Sequence, residues 1–365
     1  MNKIKVLHFP LANSKGGVTQ FELRLLRNID QEKFHLDFAT VSKHIDFEDE
    51  LQAAGAKLFY ISCYAEDDPE QFSAEFHRIL DEGYDVVHLH TSCWKGMLAE
   101  KICMQRNVPK VIIHSHATSV HGTKNPEALT EVHERNKKKI DSSIATDFWT
   151  CSQPAADCLF GNRIPRNRIV VLHNGIETEA YQFDGAKRKV LRTRYHLADK
   201  IVLGCVANFT YQKNHSFLMN LFTKLDERYV LLLIGKGMFL EDVKQEVHAK
   251  ALESRVLFLG YMNNAADFYN AMDCFVLPSI AESFSYVSVE AQTNGLPCLV
   301  STNVPKEIDF TPNIQHLDLQ QEVWMHALYG IGIRRDFHDY VVEAIKNHLD
   351  VQSTVKRVEE LYLAK

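Results

Sequence analysis

Short runs of β-branched and aliphatic residues alternate along this chain with longer segments whose apolar residues recur at helical spacing. Between the first two runs, Val18, Phe21, Leu25 and Ile29 are three, four and four residues apart, which places them on one helix face. Strands that alternate with helices are typical of βαβ units, in which the strands are parallel because each helix crosses over the sheet. The sequence therefore predicts an α/β protein with parallel sheets.

The strand-like runs form two series. The first comprises 4–9, 36–41, 57–61, 86–89, 111–114, 148–150 and 169–172, and the second comprises 201–206, 229–234, 256–259, 273–277 and 298–300. Residues 173–200 between them are rich in charge, contain Gly175 and Gly185 and have no continuous apolar period. A length of 365 residues fits about two domains of roughly 150 residues each. We therefore predict two Rossmann-like domains, over 1–173 and 174–339.

Charge and cysteine content narrow the class of protein. The 41 basic and 47 acidic residues give a net charge of −6, which disfavours a dedicated nucleic-acid binder. The eight cysteines show no C-x-x-C spacing and several lie in strand-like apolar runs, which indicates a reducing compartment. No secretory signal is recognised and no apolar run reaches about 18 residues, so we expect a cytoplasmic protein whose membrane contact, if any, is peripheral.

Ligands of open α/β sheets bind at the carboxyl ends of strands, so the residues after each run matter most. In the motif Ser14-Lys-Gly-Gly17, Gly16 and Gly17 open a helix whose N-terminus offers N–H groups to an anion, although glycine there also suits a tight turn. His114 and His116 follow the fifth run on one face of the sheet. No third ligand stands at a recognisable spacing, so a substrate contact or a hydrogen-bonded core histidine is favoured over a metal site.

The second series carries a lysine and two glutamates after its strands. Lys213 is the only cation in its loop, where it either meets a phosphate or is simply solvated. Glu282 and Glu290 are eight residues apart, about 80° around one helix, which suits one loop carboxylate and one helix carboxylate. A helix carboxylate of this kind accepts hydrogen bonds from ribose hydroxyls. The apolar flanks argue against two merely exposed glutamates.

Further motifs accompany these residues in a fixed order. They are Gly16-Gly-Val18, Val86-Val-His-Leu-His90, His114-Ser-His116, Cys151-Ser-Gln153, Asn174-Gly-Ile176, Tyr211-Gln-Lys-Asn-His215, Leu232-Leu-Ile-Gly235, Val256-Leu-Phe-Leu-Gly260, Phe275-Val-Leu-Pro-Ser279, Glu282 to Glu290, and Gly295-Leu-Pro-Cys298. Together they resemble the retaining GT-B glycosyltransferases of family 4, in particular the exopolysaccharide and capsule branch, over about residues 4–310. The resemblance implies a GT-B fold of two Rossmann-like domains facing each other across a cleft.

The same resemblance implies a set of site residues. Donor binding is expected at Gly16, Gly17, Asn208, Lys213, Gly260, Tyr261, Glu282, Ser283, Phe284, Ser285 and Glu290. Lys213 is expected to bind the diphosphate, Glu282 the transferred sugar and Glu290 the ribose. Gly260 and Tyr261 frame the base, and His116 contacts the donor sugar or the reaction centre. The expected catalytic residues are His116, Lys213 and Glu282.

The implied activity is transfer of a sugar, with a UDP-sugar as the expected donor, to a saccharide or lipid-linked saccharide with retained configuration. Neither a metal nor a cofactor besides the nucleotide sugar is expected, in keeping with the lack of a D-x-D sequence. The first domain takes the acceptor through loops such as 91–94 and 117–125, and the second takes the donor. Part of the segment 340–365 is expected to pack back on the first domain.

Association with the inner face of the cell membrane is a further expectation. The cations that would face anionic headgroups are Lys137, Lys138, Lys139, Arg24, Arg27 and Lys33. Charged helix faces are also commonly just solvated.

Two positions depart from the family's pattern and keep other functions open. Asn208 stands where the family usually has an arginine that pairs with the diphosphate, and Ser283 stands where it usually has glycine. A nucleotide-sugar-binding paralogue with impaired catalysis is therefore an alternative, as is a GT-B sugar-nucleotide epimerase. A dinucleotide oxidoreductase is disfavoured because no G-x-G-x-x-G follows a strand.

Overall fold

The computed structural model describes residues 3–13, 16–118, 126–262, 264–330 and 340–364. The strands within these residues are β1 (Ile4–Phe9), β2 (Phe34–Thr40), β3 (Leu58–Tyr60), β4 (Val86–Thr91), β5 (Lys110–Ser115), β6 (Asp147–Thr150), β7 (Ile169–Val171), β8 (Ile201–Val206), β9 (Tyr229–Ile234), β10 (Val256–Gly260), β11 (Cys274–Leu277), β12 (Cys298–Ser301) and β13 (Ile314–Leu317).

The helices alternate with these strands. They are α1 (Gly17–Asn28), α2 (Glu48–Ala53), α3 (Pro69–Leu80), α4 (Leu98–Gln105), α5 (Pro126–Lys137), α6 (Gln153–Leu159), α7 (Gly185–Arg194), α8 (His215–Phe222), α9 (Leu240–Ala249), α10 (Ala265–Tyr269), α11 (Tyr286–Thr293), α12 (Gln321–Gly330), α13 (Val341–Lys346) and α14 (Val351–Leu363). Among the described segments, none of these helices combines the length and the apolar character needed to cross a membrane.

The chain divides into two compact units. The first comprises Met1–Gly175 and Val351–Lys365, and the second comprises Ile176–Asp350. The division between Gly175 and Ile176 falls two residues after the predicted boundary between residues 173 and 174. Of the C-terminal segment, α13 belongs to the second unit and only α14 returns to the first.

The first unit is built on a seven-stranded parallel sheet in the order β3-β2-β1-β4-β5-β6-β7. Each of the seven predicted runs forms a strand, and β1 pairs with both β2 and β4, so that Val6 lies opposite Leu36 and Val86. The strand order reverses between β1 and β4, which makes their carboxyl ends the switch point of this sheet.

The second unit contains a six-stranded parallel sheet in the order β10-β9-β8-β11-β12-β13. Its switch point lies between β8 and β11. Two parallel-sheet α/β domains were predicted, and the structure confirms them. The strand that the sequence analysis missed, β13, lies at the sheet edge and reads Ile-Gln-His-Leu, so it lacks the apolar run of a central strand.

Helix α14 completes the core of the first unit. Val351, Val355 and Val358 follow helical spacing, are buried, and share a cluster of core residues with Val6 of β1 and Phe21 of α1. Burial of each such side chain contributes roughly 1.5–3 kcal/mol. The C-terminal helix is therefore part of the first unit's hydrophobic core.

Candidate active site

Two loops at the switch point of the second sheet lie together. The loop after β8 forms a 3-10 turn over Tyr211–Lys213 and ends at Asn214, whose φ is 54°. Asn214 Nδ2 donates to the Pro278 carbonyl oxygen at 3.1 Å, and Ile280 N donates to the Gln212 carbonyl oxygen at 2.7 Å. These bonds join the loop that carries Lys213 to the loop that follows β11.

Lys213 and Glu282 are brought together by this arrangement. The Lys213 ammonium donates to Glu282 Oε1, and Ser279 Oγ donates to the same oxygen at 2.7 Å. The Glu282 residue is 8% exposed. A carboxylate this buried needs a partner for its charge, and Lys213 supplies it.

Glu290 lies on α11 and is held by a tyrosine. Tyr269 Oη donates to Glu290 Oε2 at 2.6 Å, and Glu290 is buried. Burial, together with the Glu290 charge, raises the pKa of Tyr269 well above its ordinary value, so the phenol stays a hydrogen-bond donor. The sequence analysis did not single out Tyr269, since its partner is 21 positions away in the chain.

A glycine loop after β9 lies against the loop after β8. A Cβ atom built on Gly235 would be 2.0 Å from the Ala207 carbonyl oxygen, and one built on Gly237 would be 2.4 Å from that of Phe209. Side chains are therefore excluded at both positions. The motif Gly235-Lys-Gly237 is visible in the sequence, but the close approach that requires it is not.

The predicted base-binding residues flank this loop. The Gly260 carbonyl oxygen accepts from Gly235 N at 2.9 Å, and Gly260 has a φ of 70°. Tyr261 is 45% exposed, and the Lys236 ammonium lies 4.8 Å from the centre of its ring. An exposed aromatic ring of this kind offers a face on which a base can stack.

The remaining predicted donor-binding residues differ in exposure. Asn208 is exposed, while Ser283 is half-buried. Phe284 is buried, with its ring centre 5.3 Å from that of Tyr286, so the position packs the loop. Ser285 precedes α11 and its Oγ lies 2.7 Å from Ser288 Oγ.

In the first unit, Gly16 and Gly17 lie where α1 begins. Gly17 is the first helical residue, and Gly16 has a φ of −78° and a ψ of −179°, an extended conformation open to any residue. Backbone strain therefore gives no reason for glycine at position 16. Ser14 and Lys15 of the same motif lie outside the described residues.

His116 belongs to a cluster of buried histidines. Its members come from three adjacent strands and their ends, and they are His8, His88, His90, His114 and His116. The rings of His114 and His116 lie on one face of the sheet, with their centres 4.0 Å apart. Strand pairing places His8 beside His88 and His90 beside His114.

The cluster contains the third histidine that sequence spacing could not supply. Ring nitrogens of His90, His114 and His116 all lie within 4.8 Å of one another, as do those of His8, His88 and His90. The extra members come from neighbouring strands and not from the same motif. That the protein needs no metal stays a prediction.

Burial keeps these groups uncharged. It lowers the pKa of His8 and of His116 to about 3, and it lowers the pKa of the other three histidines well below the ordinary range. Glu22 of α1 is also buried, and its Oε1 lies 3.6 Å from His90 Nε2. Desolvation raises the pKa of Glu22 well above its ordinary value, which favours the protonated carboxyl.

Two residues with an expected surface role, Arg24 and Trp94, are buried. Arg24 is buried and its guanidinium donates to the Gly175 carbonyl oxygen at 3.3 Å, so the prediction that it faces headgroups is wrong. Arg27 pairs with Glu50 at 2.6 Å. Trp94, in an expected acceptor loop, is fully buried, and its indole nitrogen donates to the Leu159 carbonyl oxygen at 2.8 Å. Residues 119–125 of the other acceptor loop lie outside the described residues.

Comparison with known proteins defines the class. Residues 15–180 match the family described as Glycosyltransferase Family 4, and residues 188–308 match that described as Glycosyl transferases group 1. EpsF of Bacillus subtilis (strain 168), a protein named as a glycosyltransferase without an established activity, is 30% identical over 313 residues, which cover 84% of this chain and 81% of EpsF. The UDP-Gal:alpha-D-GlcNAc-diphosphoundecaprenol alpha-1,3-galactosyltransferase of Escherichia coli is 24% identical over 317 residues, covering 82% and 80% of the two chains.

Among solved structures, Anabaena HepE in complex with UDP and glucose matches with a TM-score of 0.78 at 14% identity, covering 98% of this chain and 99% of HepE. The fold is that of the GT-B glycosyltransferases, as expected from the sequence. The chain belongs to the family 4 glycosyltransferases.

Proposed function

We propose that this protein transfers a sugar from a UDP-sugar to a hydroxyl of a saccharide or lipid-linked saccharide during assembly of a surface polysaccharide. The observation that carries the proposal is the convergence of Lys213 and Glu282 from the two loops at the switch point of the second sheet. The name of the E. coli relative specifies a UDP-sugar donor and a diphosphoundecaprenol-linked acceptor, and HepE was solved with UDP and glucose.

Donor binding, in this proposal, exchanges the partners of Lys213. The incoming diphosphate takes the ammonium from Glu282, since a dianion attracts the cation more strongly than one carboxylate does. Glu282 remains bonded to Ser279 and is then available to accept hydrogen bonds from the hydroxyls of the sugar. The ion pair thus keeps both side chains in position before the donor arrives.

Glu290 binds the ribose hydroxyls, and Tyr269 holds its carboxylate in place. The base stacks beside Gly260 on the exposed ring of Tyr261. Gly16, Gly17 and His116 are proposed to contact the donor as well. Each of these assignments predicts a loss of donor binding or turnover when the residue is substituted.

In the reaction, Lys213 and the N-termini of α8 and α11 stabilise the charge that develops on the leaving diphosphate. An oxygen of that diphosphate takes the proton of the acceptor hydroxyl. The new glycosidic bond forms on the face that the diphosphate leaves, so the configuration is retained. No protein nucleophile and no metal takes part in this scheme.

Calorimetric titration with UDP and with GDP tests the proposal, using the parent protein, Glu290→Gln and the surface variant Glu322→Gln. We expect binding of UDP that Glu290→Gln weakens at least about ten-fold, because the amide has no negative charge and replaces one acceptor oxygen with a donor group, so the two charge-assisted hydrogen bonds to the ribose cannot both form. Glu322 is exposed and pairs with exposed Lys224, so its variant should bind UDP like the parent. Absence of binding of either nucleotide at millimolar concentration would sink the proposal.

A nucleotide-sugar-binding protein without transferase activity is the second candidate. Two observations favour it: Asn208 brings no charge to the loop after β8, and Lys213 is already paired with Glu282. A protein that binds UDP-sugars but releases no UDP with any acceptor would support this candidate. UDP release that depends on an acceptor would dismiss it, whereas release of an epimerised sugar without an acceptor would indicate an epimerase.

Peripheral binding to the inner face of the cell membrane is proposed as well, because a lipid-linked saccharide is one of the two proposed acceptor classes. Lys138, beside the ion-paired Lys137, is exposed. Flotation with anionic and with neutral liposomes tests this, and the proposal requires salt-sensitive binding to the anionic ones only.

A further inference from the structure

One tyrosine and the five clustered histidines of the first unit form a continuous series of hydrogen bonds. In order, the members are His114, His88, Tyr362, His8, His90 and His116. The five distances between successive polar atoms are 3.1, 2.8, 3.2, 2.9 and 2.9 Å. All six side chains are buried. We call this series the histidine chain.

The number of mobile protons in the histidine chain limits how many of its two terminal ring nitrogens can carry a hydrogen. Six neutral members carry one mobile proton each, and the five hydrogen bonds between them require five. One proton is left for the two terminal atoms, His114 Nε2 and His116 Nδ1. One end therefore carries a hydrogen and the other a lone pair.

Both terminal atoms are buried and have no hydrogen-bond partner among the residues that the structure describes. Leaving such atoms without a hydrogen-bond partner costs their desolvation free energy, so a polar partner at the ends is energetically favoured. His116 follows β5 at the carboxyl edge of the sheet, where ligands of α/β proteins bind. Its Nδ1 is thus the atom of the histidine chain best placed to meet a ligand.

A bound metal explains the geometry less well. In the triad of His90, His114 and His116, both nitrogens of His90 are already used, toward His8 and toward His116. Only two ring nitrogens of the triad are left for coordination, whereas a zinc site takes three or four protein ligands. The histidine chain accounts for every other ring nitrogen without an ion.

Tyr362 joins the two halves of the histidine chain. It lies near the end of α14, and its hydroxyl contacts His88 Nδ1 and His8 Nε2, which belong to different strands. The end of α14 is tied to the sheet by Lys110, whose ammonium donates to the Leu361 carbonyl oxygen. Without the hydroxyl, two buried ring nitrogens lose their partner and the two halves are uncoupled.

We infer that Tyr362 is a positioning residue for His116: through His8 and His90 it fixes the His116 ring, so that Nδ1 faces a hydroxyl of the bound sugar. This inference rests on the proposed glycosyl transfer and adds a role for the C-terminal helix. His116 then donates a hydrogen bond to the sugar hydroxyl or accepts one from it. The ring stays neutral in either case, and no charge is created in the core. Tyr362 itself does not touch the substrate.

The test compares Tyr362→Phe with Tyr84→Phe in the full-length protein labelled with 15N-histidine. Tyr84 is a matched control, because it is a buried tyrosine of the same unit whose hydroxyl donates to Asp37 at 3.0 Å, outside the histidine chain. We expect Tyr362→Phe to change the 15N tautomer signals of His8 and His88 and to lower kcat about ten-fold, with the donor KM within about two-fold of the parent. Tyr84→Phe should leave the tautomer signals and kcat unchanged.

Unchanged tautomer signals in Tyr362→Phe, or an equal fall of kcat in Tyr84→Phe, would overturn the inference. The parent protein gives a second check that needs no variant: the five rings must give neutral signals at pH 6, and an imidazolium signal or one stoichiometric metal ion would contradict the histidine chain. Lack of turnover in the parent would refute the proposed transfer instead, since the spectra do not depend on activity.

Discussion

Lys213 and Glu282 form an ion pair across 69 positions of the chain, and their side chains are only 22% and 7% exposed. Substitution of either residue removes the charge partner of the other. In the proposed function the pair therefore links donor binding to the stability of the second unit, and the two effects can be separated by substitution.

Replacing Lys213 with alanine should weaken UDP binding about 10- to 100-fold, because the main cation for the diphosphate is lost. It should also lower the free energy of unfolding by about 1–3 kcal/mol, because Glu282 loses its partner. Calorimetry and urea unfolding measure the two effects. Lys224→Ala, in an exposed pair with Glu322, is the control and should change neither by much.

The double variant Lys213→Ala/Glu282→Ala separates stability from binding. Removing both charges should recover most of the lost stability but none of the affinity. UDP affinity that stays at the parent level in Lys213→Ala would contradict the role given to this lysine.

Substituting Asn208 with arginine should strengthen UDP binding about 3- to 10-fold. The position is exposed in the loop that carries Lys213, and an arginine there adds a bidentate donor for phosphate. Asn220→Arg places the same charge on the exposed surface of α8 and serves as the control. If the two variants bind UDP equally, the gain comes from net charge, and Asn208 does not face the diphosphate.

Acid should unfold the first unit steeply. Burial lowers the pKa of the five clustered histidines, to about 3 for His8 and His116, so the unfolded chain takes up more protons as the pH falls from 6.5 toward 3. Their contribution to stability is complete above pH 6.5 and is lost across that window. Glu22 has the opposite effect on the proton balance, because its pKa is raised and the folded protein keeps a proton that the unfolded chain releases. It therefore offsets about one of the protons taken up by the histidines.

In the pH range where the unfolded chain has taken up these protons and the folded protein has not, the net difference is about four protons. The free energy of unfolding then changes by about 5 kcal/mol per pH unit. Urea unfolding, followed by tryptophan fluorescence between pH 7 and pH 4.5, measures this slope. His326→Gln, at an exposed histidine on α12 of the second unit, should leave it unchanged. A slope of one proton or fewer would mean that the clustered histidines are already charged in the folded protein.

Alanine at Gly237 should destabilise the second unit by more than about 3 kcal/mol, since the new methyl group meets the Phe209 backbone at 2.4 Å. Gly83→Ala is the matched comparison: its φ is 74°, but a Cβ there meets nothing within 4 Å. Only backbone strain of about 1 kcal/mol is expected in that variant. Similar losses in the two variants, measured by urea unfolding, would contradict the close approach of the two loops.

Much of the fold was predictable because the central strands are continuous apolar runs. The runs at 201–206 and 229–234 match β8 and β9 to the residue, since buried parallel strands need apolar side chains on both faces. The edge strand β13 escaped notice because half of its side chains are polar. Its existence depends on pairing with β12, which no local pattern reveals.

The candidate site was predictable in its residue types but not in its contacts. The pattern of strands places Lys213 after β8 and Glu282 and Glu290 after β11, yet the ion pair of Lys213 and the tyrosine partner of Glu290 arise from tertiary packing. The histidine cluster shows the same limit. Its members lie in three separate segments, and only strand order places His8 beside His88.

Incubation of the purified protein with a panel of UDP-sugars and lipid-linked saccharide acceptors, followed by NMR of the product, tests the proposed transfer. We expect acceptor-dependent release of UDP from one donor, a product linkage with the anomeric configuration of that donor, and an unchanged rate in EDTA. Glu290→Gln should lose most of the rate and Glu322→Gln none. A product of inverted configuration, or full activity in Glu290→Gln, would refute retaining transfer from a donor held by Glu290.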